Sequence, residues 1–370
     1  MNLKAAACLL ALTSSLPALP VFIGTNTGKN SDSKGIYAAD FDPQSGILTQ
    51  PILAAEYQNP GFLVQHPGRP VLLAVGSPNK PFADGTSSVA SFAIAGDHRL
   101  TFLGEASTGG KDACHLAVDA MGRAVAVANY GDGKISTLRL DGKGVPTEIV
   151  SLITNHGSGP NKGRQDGPHA HGVYFDKAYT YLFVPDLGLD KVLAYPFDQA
   201  SGKLGDALPP LVTAPGAGPR HVAFAPDRKN AYLINELDNT VLAVACRYGG
   251  FEALGTVPTL PKDYTGANTT AEIEVSPDGR FVFASNRGHD SIAVFRRDLT
   301  YGTLTAIQHA PCGGKTPRHF KIAPGAKWLL CAHQDSNTIS VLPLNPQTGE
   351  LGAPANTVSC PSPICILFER

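Results

Sequence analysis

The fold is decided by two stretches that repeat one pattern: RKNAYLINELDNTV at residues 228–241 and GRFVFASNRGHDSI at residues 279–292. In each stretch an apolar strand ends in Asn plus a charged residue, the chain turns, and a second apolar strand begins. The same frame of strand, turn and strand recurs at 123–135, 179–192 and 327–339. A period of about 40 to 50 residues is typical of propellers and solenoids, in which each repeat is one supersecondary unit.

Further strands flank this frame on both sides. A strand such as 220–224 precedes it and is followed by a Pro-Asp or Pro-Gly turn, as at Pro226-Asp227 and Pro324-Gly325. Another strand follows the frame after a turn such as Gly-Thr-Leu. Four antiparallel strands per repeat form a propeller blade. No helical pattern alternates with these strands, which excludes a parallel α/β fold.

Six complete repeats and two partial ones can be counted. The complete repeats begin near Gly61, Ala113, His171, Arg220, Ala271 and Arg318. Residues 21–42 have the pattern of the later strands of a blade, and 364–368 form a lone strand. Pairing the two ends removes the free sheet edges. We therefore predict an all-β chain: one domain at 21–370, a seven-bladed β-propeller of four-stranded antiparallel blades, its ring closed by the N- and C-terminal strands.

Composition agrees with a large interior and a small-molecule partner. Charged residues make up 16% of the chain and hydrophobic residues 43%, whereas an average soluble domain has roughly 25% charged residues. The 39 glycines and 30 prolines disfavour long helices. The formal net charge of -1 provides no basic field for nucleic acid. We expect no nucleic acid partner, and a monomer or weak oligomer.

The first twenty residues have the pattern of a signal peptide. Lys4 precedes an apolar run at 5–12, and the small residue Ala18 offers a cleavage point. The run is far shorter than the roughly 20 residues that a membrane span requires. Residues 1–20 therefore predict export to the periplasm or the medium, with an unstructured extension of a cytoplasmic protein as the alternative.

Seven cysteines are present, of which Cys8 lies in this leader. The remaining six are an even number, compatible with disulfides outside the cytoplasm, but buried free thiols are the simpler interpretation for most of them. No Cys-x-x-Cys pair or Cys/His cluster has zinc spacing. We expect no metal and no cofactor.

Polar residues that differ from blade to blade indicate where a ligand binds, because a ligand lacks the symmetry of the ring. The position that closes the second strand of successive repeats, at spacings of 56, 50, 51 and 47 residues, holds Tyr130, Asp186, Glu236, Arg287 and Gln334. The start of the first strand holds His115, His171, His221, Glu272 and His319, with Arg220 and Arg318 directly before two of them. The first strand of each propeller blade lines the central channel. We expect these side chains to converge at a channel mouth.

Structural roles compete with this interpretation. Glu236 and Arg287 could be surface turn charges, and His115, His221 and His319 could form hydrogen bonds between blades. His171 differs because His169 lies two residues before it and offers a second polar group to the same opening. The His-x-His pair could alternatively bind a metal, but no third ligand at diagnostic spacing is present.

Several motifs resemble those of the bacterial 6-phosphogluconolactonase family of seven-bladed propellers, which also contains the fungal carboxymuconate lactonizing enzymes. They include VFIGTNTG at 21–28, HGVYFD at 171–176, VPDLG at 184–188, GPRH at 218–221 and NEL at 235–237. Gly-Pro-Arg-His followed by Asn-Glu-Leu at this spacing is a fairly specific signal. The resemblance covers nearly all of the chain after the leader.

The resemblance implies a functional set of His171, Arg220, Glu236 and Arg287. The repeat comparison adds Tyr130, Asp186 and Gln334, and the position beside His171 adds His169, as candidate substrate-binding residues. Hydrolysis of a sugar lactone requires an activated water and positive charge at the developing oxyanion. Glu236 or His171 would act as the base and the other as the acid, without metal, while the two arginines bind the anionic groups. The exported leader departs from the family pattern, because a phosphorylated sugar belongs to the cytoplasm. Two alternatives stay open: a carboxymuconate-type lactonizing enzyme and a non-catalytic propeller scaffold.

Overall fold

A computed structural model describes residues 17–29 and 31–370, which form strands, turns and loops and contain no helix. The chain begins with β1 (Leu19–Thr25), β2 (Gly35–Asp42), β3 (Ile47–Leu48) and β4 (Ile52–Glu56). Blade 1 follows with β5 (Gln58–Gln65), β6 (Val71–Ser77), β7 (Ser88–Ile94) and β8 (Leu100–Ser107), and blade 2 with β9 (Ala113–Val118), β10 (Ala124–Asn129), β11 (Ile135–Leu140) and β12 (Pro146–Ile153). In blades 1 and 2 consecutive strands are antiparallel neighbours.

The remaining strands continue the same order. Blade 3 contains β13 (Tyr174–Phe175), β14 (Tyr181–Asp186), β15 (Lys191–Asp198), β16 (Lys203–Leu204) and β17 (Leu211–Val212), and blade 4 contains β18 (Pro219–Phe224), β19 (Asn230–Asn235), β20 (Thr240–Arg247) and β21 (Gly250–Pro258). Blade 5 contains β22 (Thr269–Val275), β23 (Phe281–Arg287), β24 (Ser291–Arg297) and β25 (Leu304–Pro311). Blade 6 contains β26 (Pro317–Ile322), β27 (Trp328–His333), β28 (Thr338–Pro343) and β29 (Asn356–Ser359), and β30 (Pro363–Phe368) ends the chain.

Blade 7 is built from both ends of the chain, which confirms the predicted closure and the seven-bladed propeller. Strand β30 pairs antiparallel with β1, with Phe22 opposite Leu367 and Ile23 opposite Ile366. Strand β2 then pairs with β1, and β3 and β4 both pair with β2. Among the described strands β30 pairs only with β1 and forms the inner edge of this blade. The facing backbone groups of β1 and β30 are therefore satisfied by each other.

Seven hydrophobic clusters fill the seams between neighbouring blades. Because side chains alternate across a strand, each central strand supplies two seams. In β23, for example, Phe281 and Phe283 pack against blade 6, whereas Val282 and Ala284 pack against blade 4. This arrangement explains why the strands are apolar on both faces.

The turn between the second and third strands has a repeated backbone conformation. Asp190, Asn239, Asp290 and Asn337 occupy this turn with φ between 54° and 60°. Asn and Asp tolerate this left-handed region better than other non-glycine residues. The turn fixes where the second strand ends, and with it the position of the polar residue that closes the strand.

Part of the predicted leader falls outside the described residues, which omit residues 1–16. Leu19 and Pro20 are described and already belong to β1, where they pair with Phe41 and Asp40. No helix in the described part of the chain is long and apolar enough to cross a membrane. The six described cysteines are all free thiols: Cys114, Cys246, Cys312, Cys331, Cys360 and Cys365.

Candidate active site

A cavity of about 360 Å³ opens at one end of the channel, where the ends of inner and second strands from blades 2 to 6 meet. Its lining is Asp112, Cys114, Tyr130, Arg164, His171, Glu236, Thr269, Arg287 and Arg318. Of the residues that the sequence analysis selected, the cavity thus brings together Tyr130, His171, Glu236 and Arg287. Arg220 joins them through its contact with Glu236.

Glu236 lies at the centre of the charge network. Its carboxylate is buried and accepts bonds from three guanidinium groups: Arg164 at 2.6 Å, Arg287 at 3.0 Å and Arg220 at 3.1 Å. Nε2 of His171 lies 3.8 Å from the same carboxylate. Burial alone would raise the pKa of Glu236, but the positive charges of Arg287 and Arg220 outweigh it and hold that pKa far below its usual range. Glu236 is therefore ionised at neutral pH and is a weak base in this state.

His171 is the neutral member of the network. It lies in the loop before β13, almost fully buried, and its backbone amide donates to the carbonyl of Pro185. Burial and the nearby charge of Arg220 lower the pKa of His171 well below 6.5, although Glu236 acts in the opposite direction. A neutral imidazole can accept a proton, and an imidazolium formed here would be a strong acid.

A repeated β-bulge positions two of the arginines. In β18 the pairing with β19 shifts between Pro219 and His221, and in β26 the pairing with β27 shifts between Pro317 and His319. The extra residue of each bulge is an arginine, Arg220 in one case and Arg318 in the other. Bulges commonly redirect side chains beside functional sites. The shared Pro-Arg-His sequence thus produces one local structure twice.

The two bulge arginines differ in their partners. Arg220 bonds to Glu236 and to the carbonyl of Ala271 at 2.7 Å. Arg318 forms no ion pair with any carboxylate in the described part of the chain, and it lines the cavity. Burial, together with the charges of Arg220 and Arg287, lowers the pKa of Arg318 to about 10. Arg318 is therefore the cation that an anionic ligand can pair with directly.

The cavity carries an excess of positive charge. Four guanidinium groups, those of Arg164, Arg220, Arg287 and Arg318, surround it, and two carboxylates, Glu236 and Asp112, face them. The formal sum is 4 − 2, or two positive charges, with His171 neutral. Low-dielectric walls strengthen such a field, so the cavity favours an anionic ligand.

The other selected residues lie around the site or away from it. His169 stacks on Tyr130 with 4.6 Å between ring centroids and contacts the Tyr130 carbonyl through Nδ1, so it supports the cavity wall from behind. Asp186 is buried and accepts from the amides of His169, Gly188 and Leu189, and it is not part of the lining. Gln334 lines a different cavity, beside Asn26 and Asn337.

The histidine series separates into two levels. His171 faces the cavity that Arg164, Arg287 and Arg318 line, here called the arginine cavity. His115, Glu272 and His319 line a second cavity of about 350 Å³. His221 lies between the two levels, 3.2 Å from Nη1 of Arg220 and 3.1 Å from the carboxylate of Glu272. Nδ1 of His115 and of His319 each lie 3.3 Å from a backbone amide of the next blade, Val173 and Ile366 respectively. These contacts correspond to the hydrogen bonds between blades considered as the structural alternative.

Sequence reasoning missed Arg164 and Cys114. Arg164 belongs to the loop between β12 and β13, which has no counterpart in the other blades, so the comparison of repeats could not select it. Cys114 occupies in β9 the bulge position that holds arginine in β18 and β26, and its Sγ lies 3.8 Å from Nδ1 of His171. The shared position before the first-strand histidine was the available signal for Cys114.

Comparison with known proteins agrees with this architecture. The family described as lactonase, 7-bladed beta-propeller, matches residues 20–368. A 6-phosphogluconolactonase of Bacillus subtilis is 34% identical over 350 residues, covering 94% of this chain and 97% of the relative. A 6-phosphogluconolactonase of Formosa agariphila is 33% identical, covering 90% and 94%. The solved structure of a periplasmic gluconolactonase of Pseudomonas aeruginosa is 29% identical with a TM-score of 0.86, covering 95% of this chain and 99% of that one. The chain belongs to the lactonase family of seven-bladed β-propellers.

Proposed function

We propose that this chain hydrolyses the ring ester of a sugar lactone that carries an anionic substituent, with 6-phosphogluconolactone as the best-fitting substrate. The observation that carries the proposal is the convergence of four guanidinium groups on neutral His171 and ionised Glu236 in one cavity. The family and the named relatives support lactone hydrolysis, and the excess positive charge supports an anionic lactone.

The proposed reaction begins with water and the lactone carbonyl. His171 takes a proton from the water as its oxygen adds to the carbonyl carbon, and the carbonyl oxygen becomes an oxyanion. Arg287 and Arg220 lie where they can stabilise that charge, as donors in oxyanion sites do. The ring C–O bond then breaks, and the departing ring oxygen takes the proton from His171. The product is the open-chain hydroxy acid, and no covalent enzyme intermediate forms.

Glu236 has a positioning role in this scheme. It holds Arg164, Arg220 and Arg287 in place and lies 3.8 Å from His171, where its negative charge stabilises the imidazolium that forms during the reaction. A carboxylate paired with three arginines has too low a pKa to be the better base. The low pKa of Glu236 and the neutral state of His171 therefore support His171 as the base in this proposal.

The test is a pH-stat assay of purified protein on 6-phosphogluconolactone and on glucono-1,5-lactone, corrected for spontaneous hydrolysis. The proposal expects turnover of both, with the larger kcat/KM for the phosphorylated lactone, and loss of turnover in His171→Asn. Acid release at the spontaneous rate for both lactones contradicts it and favours a binding scaffold.

We also propose export by residues 1–20, which bears on the substrate: a phosphorylated sugar belongs to the cytoplasm, so an exported enzyme would act on an anionic lactone without phosphate. Lys4, the apolar run and Ala18 support export, and one relative is described as periplasmic. Cleavage after Ala18 would leave Leu19 as the first residue and preserve all of β1. N-terminal sequencing of the protein from its native cell should therefore begin at Leu19, and an intact Met1 on the soluble protein contradicts export.

A further inference from the structure

Three side chains form a cluster in the seam between blades 5 and 6, and none of them lines the arginine cavity. Cys312, Cys331 and His333 are buried, and their two Sγ atoms and one ring nitrogen all lie within 4.8 Å of one another. Cys331 and His333 are two residues apart in β27 and share a face, while Cys312 directly follows β25. The cluster therefore joins two blades.

The separations between these ligand atoms are close to those found when such atoms bind one metal ion. Two thiolates each about 2.3 Å from one zinc ion have sulfur atoms at most about 4.6 Å apart. Since no separation in the cluster exceeds 4.8 Å, at most a small contraction is needed to satisfy that limit. The donor set, two sulfurs and one imidazole, is the type that Zn(II) and Cu(I) prefer.

The neighbouring blades show what this seam normally contains. The amide of Cys312 donates to the carbonyl of Asp290, as the amide of Thr259 does to Asn239 in the preceding seam. There Oγ1 of Thr259 donates to Oδ1 of Asn286 at 2.7 Å, and Nδ2 of Asn286 returns a bond to the Thr259 carbonyl.

His333 occupies the position of Asn286, and Cys331 occupies the position of Ala284, since each pair closes the second strand of its blade in the same register. The seam between blades 5 and 6 thus replaces Thr, Ala and Asn by Cys, Cys and His at once. A single substitution between the two seams would need no more than a local adjustment of packing. Three substitutions that place three metal-binding atoms together indicate a bound metal ion.

The replacement of asparagine by His333 also leaves one buried ring nitrogen without a hydrogen-bond partner among the described residues. Nδ1 of His333 lies 3.3 Å from Oγ1 of Thr338, but Nε2 is buried and has no hydrogen-bond partner among the described residues. A buried nitrogen without a partner is costly unless something binds it. A metal ion supplies that partner, and a contact on the other ring nitrogen fixes the ring as it does in known metal sites.

We propose that Cys312, Cys331 and His333 bind one thiophilic metal ion, Zn(II) or Cu(I), which clamps blade 5 to blade 6. Binding releases the two thiol protons to solvent, because thiolate is the form that binds metal. The site is structural, and its occupancy stabilises the ring through the metal-bound folded state.

The test uses the full protein, reduced under anaerobic conditions, incubated with a small excess of zinc chloride or of a Cu(I) acetonitrile complex, and desalted. Metal per chain is measured by mass spectrometry, and the melting temperature is measured before and after loading. We expect one ion per chain from at least one of the two metals, and a higher melting temperature with it.

The matched variant combines Cys312→Thr, Cys331→Ala and His333→Asn, which rebuilds the seam with the residues of the preceding one and should therefore fold. It should retain no metal and show no metal-dependent shift in melting temperature. Cys360→Thr is the control, because Cys360 takes the corresponding position in the next seam, with its amide on the carbonyl of Asn337, and it should retain the ion.

Two results overturn the proposal. One is a wild-type protein that retains neither metal after reduction, whether or not Cys312 and Cys331 form a disulfide in the protein as isolated. The other is a triple variant that retains as much metal as the wild type.

Discussion

Oε2 of Glu236 lies 3.0 Å from Nη2 of Arg287, and the two residues occupy the same position in neighbouring blades. Glu236 follows the second strand of blade 4, and Arg287 ends the second strand of blade 5. Equivalent positions in a propeller are close together near the channel and would repel if they carried the same charge. Here the repeat places opposite charges side by side, and Nη2 of Arg287 also donates to the carbonyl of Thr270 at 2.7 Å.

Glu236→Gln tests what this carboxylate does. The change removes the charge that pairs with three arginines and that, in the proposed mechanism, stabilises the His171 imidazolium. We therefore expect kcat to fall by about 100-fold or more on either lactone. The melting temperature should fall as well, because buried guanidinium groups lose their counter-charge.

Glu252→Gln serves as the control, since it breaks an exposed ion pair with Arg247 and should leave both quantities unchanged. A Glu236→Gln variant with wild-type kcat would remove this carboxylate from the mechanism.

The pH profile tests His171 as the base. In the proposed mechanism the neutral imidazole is the active form, and burial and Arg220 lower the pKa of His171 well below 6.5. Activity should therefore persist as the pH falls through 6.5 and decline only at lower pH. The measurement is kcat/KM between neutral and acidic pH, which reports groups of the free enzyme. An acid limb at or above the ordinary histidine pKa contradicts the assignment, and His169→Asn should leave the limb unmoved.

The sequence revealed the ring and its closure because strand patterns repeat, and it found Glu236 and Arg287 because the repeat makes their divergence visible. The same logic selected Asp186 and Gln334, which share the position but not the cavity. The reason is physical: the ring is symmetric and the cavity is not. The Asp186 carboxylate instead accepts from the amides of Gly188 and Leu189 in its own turn and of His169 in the loop before β13. Arg164 was invisible because its loop has no repeat equivalent.

Ring closure by β30 makes a prediction about stability. Deleting residues 363–370 removes the strand that pairs with β1 at Val21, Phe22 and Ile23, and it exposes the apolar seams on both sides. We expect the melting temperature to fall sharply or cooperative unfolding to disappear, as measured by circular dichroism. Removing Arg370 alone leaves β30 intact and should have little effect. An unchanged melting temperature in the longer deletion would contradict closure as a source of stability.

The buried histidines predict acid sensitivity. Burial lowers the pKa values of His115, His171 and His221 well below 6.5 and that of His319 to about 4. The unfolded chain binds protons at these residues below about pH 6.5 while the folded chain does not, so stability is full above that pH and is lost as the pH falls toward 4.

Melting temperatures between pH 7.5 and pH 4 measure this effect. His319→Asn should reduce the slope of melting temperature against pH, and the same change at His156, which is exposed in the loop after β12, serves as the control. A melting temperature independent of pH over this range would show that the histidines keep ordinary pKa values in the folded protein.

The last prediction separates binding of the anionic substituent from stabilisation of the oxyanion. Arg318 lacks a carboxylate partner in the described chain, whereas Arg287 is already held by Glu236 and Thr270. Arg318→Gln should therefore raise KM for 6-phosphogluconolactone by about 10-fold or more and leave KM for glucono-1,5-lactone nearly unchanged, because a charge-assisted bond to phosphate forms before the reaction as well as during it. Arg287→Gln should lower kcat for both lactones by a similar factor, because the oxyanion is common to both. The reverse pattern would exchange the two roles, and equal effects of Arg318→Gln on both substrates would place Arg318 at the reacting carbonyl.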